Sequence, residues 1–204
     1  KDGIVFEITT YRSEIYVAES RKPEVKFGDS IEADLLRRDF TVNAMAIELT
    51  TETPTFIDPH NGVRDLLNKV LKTPGSPELS FGDDPLRMLR AARFAAQLGF
   101  TISPELLASM TEMARRLEII SAERIRDEFI KIVLSPNPRI GITTLVDTGL
   151  CDLFLPEIPK LRLEIDEHHH HKDVYEHTLT VVEQSMALEN RLGGANLVIR
   201  LAAL

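Results

Sequence analysis

The fold of this chain is decided by one stretch, Phe81-Gly82-Asp83-Asp84-Pro85-Leu86-Arg87-Met88-Leu89-Arg90-Ala91-Ala92-Arg93-Phe94. Phe81-Gly82 indicates a loop, and Pro85 fits the first turn of a helix. The helix then runs toward Gly99 and is apolar apart from its arginines and Gln97. Because a helix of this composition is mostly buried, its guanidinium groups need a carboxylate or another anion as partner.

Asp84 and Arg87 stand three residues apart at the start of this helix, so their side chains share a face. A carboxylate accepts hydrogen bonds, and a guanidinium donates several in a fixed fork. Together they match the mixed donor and acceptor edge of cytosine or adenine. A structural role is the alternative, since Asp84 before Pro85 is a good N-cap and Arg87 can pair with Asp83 or Asp84. The short motif taken alone favours that structural role.

Composition places the chain among globular proteins, with 204 residues, 43% hydrophobic and 27% charged. The apolar runs are too short to span a membrane. Cys151 is the only cysteine, which excludes an internal disulfide and indicates a reducing compartment, the cytoplasm. Lys1 is not a methionine, and the apolar helix over 198–204 has no end signal, so we expect a piece of a longer protein, truncated at both ends.

The net charge of −8 argues by itself against a nucleic-acid binder. The distribution of charge modifies this conclusion. Residues 85–131 hold eight Lys and Arg against six Asp and Glu, whereas residues 147–189 hold three against ten. A polyanion is therefore predicted to bind the middle of the chain.

Local patterns predict a mixed first part and a helical second part. Residues 4–11 are rich in β-branched and aromatic types and predict a strand that carries Glu7. Residues 12–34 predict an irregular loop, with a short helix starting near Ser30. Residues 44–49 and 54–57 predict a β-hairpin, and from Pro85 onward the periodicity is helical.

Three blocks stand in order along the chain: the strand with Glu7, the segment Arg37-Arg38-Asp39-Phe40-Thr41-Val42-Asn43-Ala44-Met45-Ala46, and residues 58–66 leading into 83–94. This combination resembles the class II tRNA nucleotidyltransferase family, which comprises bacterial CCA-adding enzymes and related poly(A) polymerases. Residues 123–129 resemble the helical motif that follows the base-reading helix in that family. The likeness reaches 149–157.

The resemblance implies a nucleotide site. Its residues would be Arg38, Asp39, Asn43, Asp84, Arg87, Arg90 and Arg93. Asp84 and Arg87 would read the edge of the incoming base, so that the protein serves as its own template for CTP or ATP. Arg38 would contact the triphosphate or ribose, and Asp39 and Asn43 would bond the sugar or fix the loop. The family's usual glutamate before this aspartate is Asp83 here, which receives no assigned contact.

Nucleotidyl transfer requires two metal-bound carboxylates. In the family these carboxylates belong to an Asp-x-Asp that follows a glycine-rich segment, and neither feature is present in this sequence. The resemblance therefore implies Mg²⁺ ligands upstream of Lys1, with Glu7 as a third carboxylate and an inactive chain in isolation. A solvated edge-strand glutamate is the alternative for Glu7.

Some relatives carry an HD-type hydrolase domain after the neck, and His177 resembles the first histidine of its metal site. The later His-Asp pair of that site is absent from this sequence. His168 to His171 are interpreted as a polar entry to the helix that bears His177. The sequence therefore supplies no complete metal site.

The predicted fold class is α+β, in three parts. Residues 1–84 form the C-terminal part of a nucleotidyltransferase head, 85–135 a helical neck that reads the base, and 136–204 the start of an HD-like helical body. The predicted function is addition of CMP and AMP to the 3′ end of tRNA, without a template. The alternatives are a poly(A) polymerase of the same family, or an HD-type metal phosphohydrolase with a degenerate nucleotidyltransferase module. The predicted partners are the tRNA 3′ end and nucleoside triphosphates, with no membrane.

Overall fold

A computed structural model gives the fold and describes residues 12–15, 24–27, 30–163 and 173–204. The helices are, in chain order, α1 (Ile31–Leu36), α2 (Gly62–Asn68), α3 (Pro77–Asp83), α4 (Leu86–Leu98), α5 (Pro104–Met113), α6 (Ala122–Val133), α7 (Pro138–Asp147), α8 (Glu157–Lys160), α9 (Val174–Leu188) and α10 (Leu197–Ala203). The strands are β1 (Arg12–Ile15), β2 (Glu24–Phe27), β3 (Ala46–Glu48), β4 (Thr55–Ile57), β5 (Val70–Leu71) and β6 (Thr101–Ile102). Short 3₁₀ helices cover Thr41–Asn43, Ala114–Ile119, Cys151–Leu153, Leu161–Leu163 and Glu189–Leu192. The predicted α+β class is confirmed.

The described strands pair two by two. β1 and β2 are antiparallel, β3 and β4 are antiparallel with Ala46 opposite Ile57, and β5 and β6 are parallel. The predicted hairpin is therefore confirmed. The loop predicted over 12–34 is wrong in part, because the alternating polar and apolar residues of 24–27 pair with 12–15 as strands. The strand predicted over 4–11, with Glu7, lies outside the described residues.

The break between α3 and α4 differs from the prediction. Phe81 and Gly82 do not form a loop but lie inside α3, where Phe81 is fully buried. Ser76 begins that helix, since its Oγ accepts a hydrogen bond from the Leu79 N–H at 3.3 Å. The chain leaves the helical conformation only at Asp84, with φ −145° and ψ 101°. The end of α3 therefore lies directly beside the start of α4.

Helix α4 lies at the centre of the core, as its composition predicts. Its buried residues are Leu86, Met88, Leu89, Ala91, Ala92, Ala95 and Ala96. α6 and α7 pack against it. Gly141 of α7 allows this approach, because a Cβ there would lie 2.5 Å from Ile132 Cγ2 and 3.0 Å from Ala96 Cβ. The arginines of α4 are thus carried by a closely packed helix.

Arg200 of α10 forms a buried ion pair with Glu189 and also bonds to the end of α6. Nε and Nη2 of Arg200 donate to the two carboxylate oxygens of Glu189 at 2.6 and 2.8 Å. Nη1 of Arg200 donates to the carbonyl oxygens of Val133 and Ser135, each at 2.7 Å. The hydrogen bonds from Arg200 hold the pKa of the Glu189 carboxyl below its usual value.

One hydrophobic core runs from Phe40 to Leu179. It includes Cys151, whose burial raises the pKa of its thiol to about 12.

The predicted domain boundaries at 84/85 and 135/136 stay a prediction. Within the part of the chain that the structure describes, every helix is too short or too polar to cross a lipid bilayer.

Candidate functional site

A cleft of about 540 Å³ lies beside the start of α4, where the end of α1 and the first turn of α6 meet it. Its lining consists of Arg37, Arg38, Asp39, Asn43, Asp84, Leu86, Arg87, Arg90 and Arg124. The five arginines outnumber the two aspartates, so the cleft attracts anions. Six of the seven nucleotide-site residues predicted from the sequence meet here.

Asp84 uses both of its carboxylate oxygens. Oδ1 accepts a hydrogen bond from the Leu86 N–H at 3.1 Å and thereby caps α4. Oδ2 accepts a hydrogen bond from Nη2 of Arg124 at 3.0 Å. The Asp84 side chain therefore both caps α4 and lines the cleft. Its Oδ2 is the oxygen that a ligand can share.

Arg87 is held by oxygen atoms from two segments. Nη1 donates to the Ser80 hydroxyl at 2.9 Å and to the Ser80 carbonyl at 3.4 Å, and Nη2 donates to the Arg37 carbonyl at 2.6 Å. Burial lowers the pKa of Arg87, while the nearby carboxylates of Asp84 and Asp83 oppose that change. The guanidinium is thus fixed in position and remains charged at neutral pH.

Asp39 joins the loop before β3 to α4. Its side chain is 8% exposed, and Oδ1 accepts hydrogen bonds from the Phe40 N–H at 2.9 Å and from Nδ2 of Asn43 at 3.1 Å. Oδ2 accepts hydrogen bonds from Nε and Nη2 of Arg90. Asn43 therefore fixes the loop, and Arg90 is held in the cleft through Asp39. Arg38 pairs with Asp34 at 2.8 Å and is half exposed.

Arg93 is the predicted site residue that does not line the cleft. Its Nε lies 2.7 Å from Oε2 of buried Glu128, and its guanidinium stacks over the Phe94 ring at 4.3 Å. The reason is helical geometry. Each step of three residues turns the direction of a side chain by about 60°, so Arg93 points about 120° away from Arg87. Arg93 therefore joins α4 to α6 through Glu128 and does not share the cleft with Arg87 and Arg90.

The sequence prediction missed two arginines of the cleft, Arg37 and Arg124. Both lie inside motifs that carried the family resemblance, so membership of those motifs was the available signal.

Glu7 lies outside the described residues. His177 is exposed on α9. Among the described residues, no three His, Cys, Asp or Glu side chains are grouped so that they could hold a metal ion.

Two protein families match this chain. Residues 1–72 match the family described as the poly(A) polymerase head domain, and residues 99–161 match the family described as the probable RNA- and SrmB-binding site of polymerase A. Curated relatives include the CCA-adding enzyme of Levilactobacillus brevis, 41% identical over 80% of this chain and 41% of the relative. Another is the CCA-adding enzyme of Limosilactobacillus fermentum, 44% identical over 72% of this chain and 36% of the relative.

Solved structures agree with these sequence matches. The Bacillus stearothermophilus CCA-adding enzyme in complex with CTP is 32% identical, with a TM-score of 0.64 over 88% of this chain and 44% of that chain. The Thermotoga maritima CCA-adding enzyme complexed with tRNA is 28% identical, with a TM-score of 0.63 over 83% of this chain and 39% of that chain. This chain belongs to the family of class II tRNA nucleotidyltransferases and bacterial poly(A) polymerases. It spans about two fifths of the length of the curated relatives it matches.

Proposed function

We propose that this chain forms the nucleotide-reading part of an enzyme that adds CMP and AMP to the 3′ end of tRNA without a template. The observation that carries the proposal is the position of Asp84 and Arg87 side by side in an arginine-lined cleft. The similarity to CCA-adding enzymes, at about 40% identity, supports the same reaction. The relatives extend well beyond the part that is matched to this chain.

The chemistry of the cleft fits the two bases that such an enzyme incorporates. Cytosine and adenine each present an amino donor next to an acceptor nitrogen on the pairing edge. Oδ2 of Asp84 would accept from the amino group, and the N–H groups of Arg87 that are not bonded to Ser80 or Arg37 would donate to the acceptor. Uracil presents a carbonyl oxygen where cytosine has its amino group, so it would face the Asp84 carboxylate with like polarity. The pair therefore favours CTP and ATP.

The other arginines of the cleft suit the triphosphate. Arg38 and Arg90 are partly exposed in the lining, and each is held by one carboxylate, from Asp34 and Asp39. A guanidinium binds phosphate oxygens through parallel hydrogen bonds, and several guanidinium groups can share one polyphosphate. We propose CTP and ATP as the substrates and the tRNA 3′ end as the acceptor. Arg93 is left out of the proposed site.

We propose Mg²⁺ as the ion of the whole enzyme, where it would supply activation of the 3′-hydroxyl and stabilisation of the charge on the leaving pyrophosphate. The described residues of this chain offer no ligand set for it, so we assign no reaction step to the metal. Glu7 stays a predicted ligand. We place the enzyme in the cytoplasm, which agrees with a single cysteine whose thiol is buried.

A poly(A) polymerase of the same family is the second candidate, favoured by the descriptions of the two matching families. Both activities would use the same base-reading pair. Product length separates them in an enzyme preparation that contains the catalytic carboxylates, because CCA addition ends after three nucleotides and poly(A) synthesis continues. The hydrolase alternative depends on His177, whose side chain is exposed, and we do not propose it.

The test of the proposed function measures ligand binding by this chain. In calorimetry we expect CTP and ATP to bind more tightly than UTP, by about tenfold or more, because the amino group is the group that is recognised. Binding of tRNA without its CCA end should weaken steeply with salt, as expected for contacts between arginines and phosphates. Equal affinity for CTP and UTP would refute base reading by Asp84 and Arg87.

A further inference from the structure

Ser80 contacts both members of the base-reading pair. Its carbonyl oxygen accepts a hydrogen bond from the Asp84 N–H at 3.2 Å, at the end of α3. Its hydroxyl oxygen accepts one from Nη1 of Arg87 at 2.9 Å. A single residue therefore fixes the main chain that carries the carboxylate and the guanidinium that stands beside it.

The Ser80 hydroxyl is the one contact in this arrangement that a side-chain substitution can remove. The other oxygens bonded to Arg87 among the described residues are the carbonyls of Ser80 and Arg37, and these belong to the main chain. Ser80 is 8% exposed and is not among the residues that line the cleft. It therefore holds Arg87 from behind and makes no contact with a ligand in the cleft.

A guanidinium is planar, so bonds to Nη1 and Nη2 define the direction of its remaining N–H groups. Loss of the hydroxyl leaves Nη2 bonded to the Arg37 carbonyl and Nη1 bonded only to the Ser80 carbonyl, at 3.4 Å, so the plane of the guanidinium is held less tightly and can turn. The donors that face the base would then no longer stay aligned with Oδ2 of Asp84. Alignment of donor and acceptor is what distinguishes cytosine and adenine from uracil.

We propose that Ser80 is a positioning residue that sets the base selectivity of the cleft by fixing the Arg87 guanidinium relative to Asp84. The proposal rests on the proposed function. It assigns to α3, a helix outside the cleft, a part in the choice of nucleotide.

The experiment measures the affinity of this chain for CTP, ATP and UTP in calorimetry. S80A should weaken the binding of CTP and ATP by about tenfold, which is the contribution of one hydrogen bond to a charged group. The binding of UTP should weaken by less. S80T keeps the hydroxyl and should restore the preference. The matched control is S135A, which removes an equally buried hydroxyl that has no hydrogen-bond partner among the described residues.

A second measurement tests whether Ser80 acts through Arg87. In the R87A background, S80A should change CTP affinity by less than about twofold, because the group that Ser80 positions is gone. An equal loss in both backgrounds would show that Ser80 acts on the fold in general and would overturn the proposal. Wild-type selectivity retained by a folded S80A variant would overturn it as well.

A third measurement separates this proposal from the proposed function. Without nucleotide, the guanidinium NMR signals of Arg87 should report restricted rotation in the wild type and faster rotation in S80A. If the wild type binds no nucleotide, the proposed function fails, while these signals still decide whether Ser80 fixes Arg87. Identical signals in the two proteins would refute the positioning role alone.

Discussion

Oδ2 of Asp84 accepts a hydrogen bond at 3.0 Å from Nη2 of Arg124, forty residues further along the chain. This contact joins the start of α4 to the first turn of α6 inside the cleft. Oδ1 is occupied by the cap of α4, so Arg124 and a base amino group would both donate to Oδ2. An oxygen with two lone pairs accepts both, and Arg124 therefore orients the acceptor that the base would meet.

Replacement of Arg87 by alanine should lower the affinity of the chain for CTP and for ATP together, by about tenfold to a hundredfold. The change removes hydrogen bonds from a charged donor, and each of these contributes about 1.5–3 kcal/mol. Titration calorimetry on the chain measures the effect. R115A is the matched control, since Arg115 is exposed and does not line the cleft. Unchanged binding of both nucleotides would remove Arg87 from the site.

The D84N variant should separate capping from base recognition. Asparagine caps a helix about as well as aspartate, so the free energy of unfolding should change by less than about 1 kcal/mol. The amide places a donor where Oδ2 now accepts from Arg124, and so the preference for CTP over UTP should fall by about tenfold. A large loss of thermal stability with selectivity intact would instead assign Asp84 to capping alone.

The Glu189–Arg200 pair should make stability depend on acid pH. The pKa of Glu189 is lowered from its ordinary 4.5, so the stabilisation is fully present above pH 4.5 and is lost as the pH falls through the lowered value. At neutral pH, E189Q should lower the free energy of unfolding by about 3 kcal/mol, because Arg200 loses its buried partner. The difference in the free energy of unfolding between the wild type and E189Q should become smaller in acid.

Urea unfolding at a series of pH values measures this difference. The matched control is E183Q, which removes a carboxylate from an exposed pair with Arg139 and should cost less than about 1 kcal/mol. If the difference in the free energy of unfolding between the wild type and E189Q stayed constant from pH 7 into strong acid, the lowered pKa assigned to Glu189 would be contradicted.

Cys151 should be chemically silent in the folded protein. Its pKa of about 12 keeps the thiol protonated, and its side chain is fully buried. Iodoacetamide at about pH 8 should therefore label the chain only after unfolding in urea, as mass spectrometry would show. Rapid labelling under native conditions would contradict the described burial.

The same thiol predicts the direction of a change in alkali. The unfolded thiol ionises near its ordinary pKa of 9.0 and the folded one near 12, so stability should fall as the pH rises between these values. The C151A variant should lack the loss of stability that ionisation of the thiol causes. Comparison of the two proteins isolates this contribution from those of other groups that titrate in alkali.

Local signals in the sequence mark several helix starts. Ser30 caps the helix that was predicted to begin near it, and Ser103, Asp173 and Asn196 cap α5, α9 and α10 in the same way, because capping depends on residues within one turn. Ser76-Pro77 carried the same signal for α3. That helix was missed because glycine at 82 was interpreted as a breaker.

The assembly of the cleft was less accessible from the sequence. The pair Asp84 and Arg87 was predicted because its members are three residues apart. The bonds from Arg124 to Asp84 and from Arg87 to the Arg37 carbonyl span 40 and 50 residues, and no local pattern specifies them. The direction of Arg93, by contrast, follows from helical periodicity and was available from the sequence.

The bond from Arg87 to the Arg37 carbonyl has an evolutionary consequence. A main-chain acceptor persists whatever amino acid the codon specifies, so mutational drift at position 37 would alter the charge of the cleft and leave this anchor in place. Nucleotide choice in descendants of this gene should therefore tolerate change at 37 more readily than at 80.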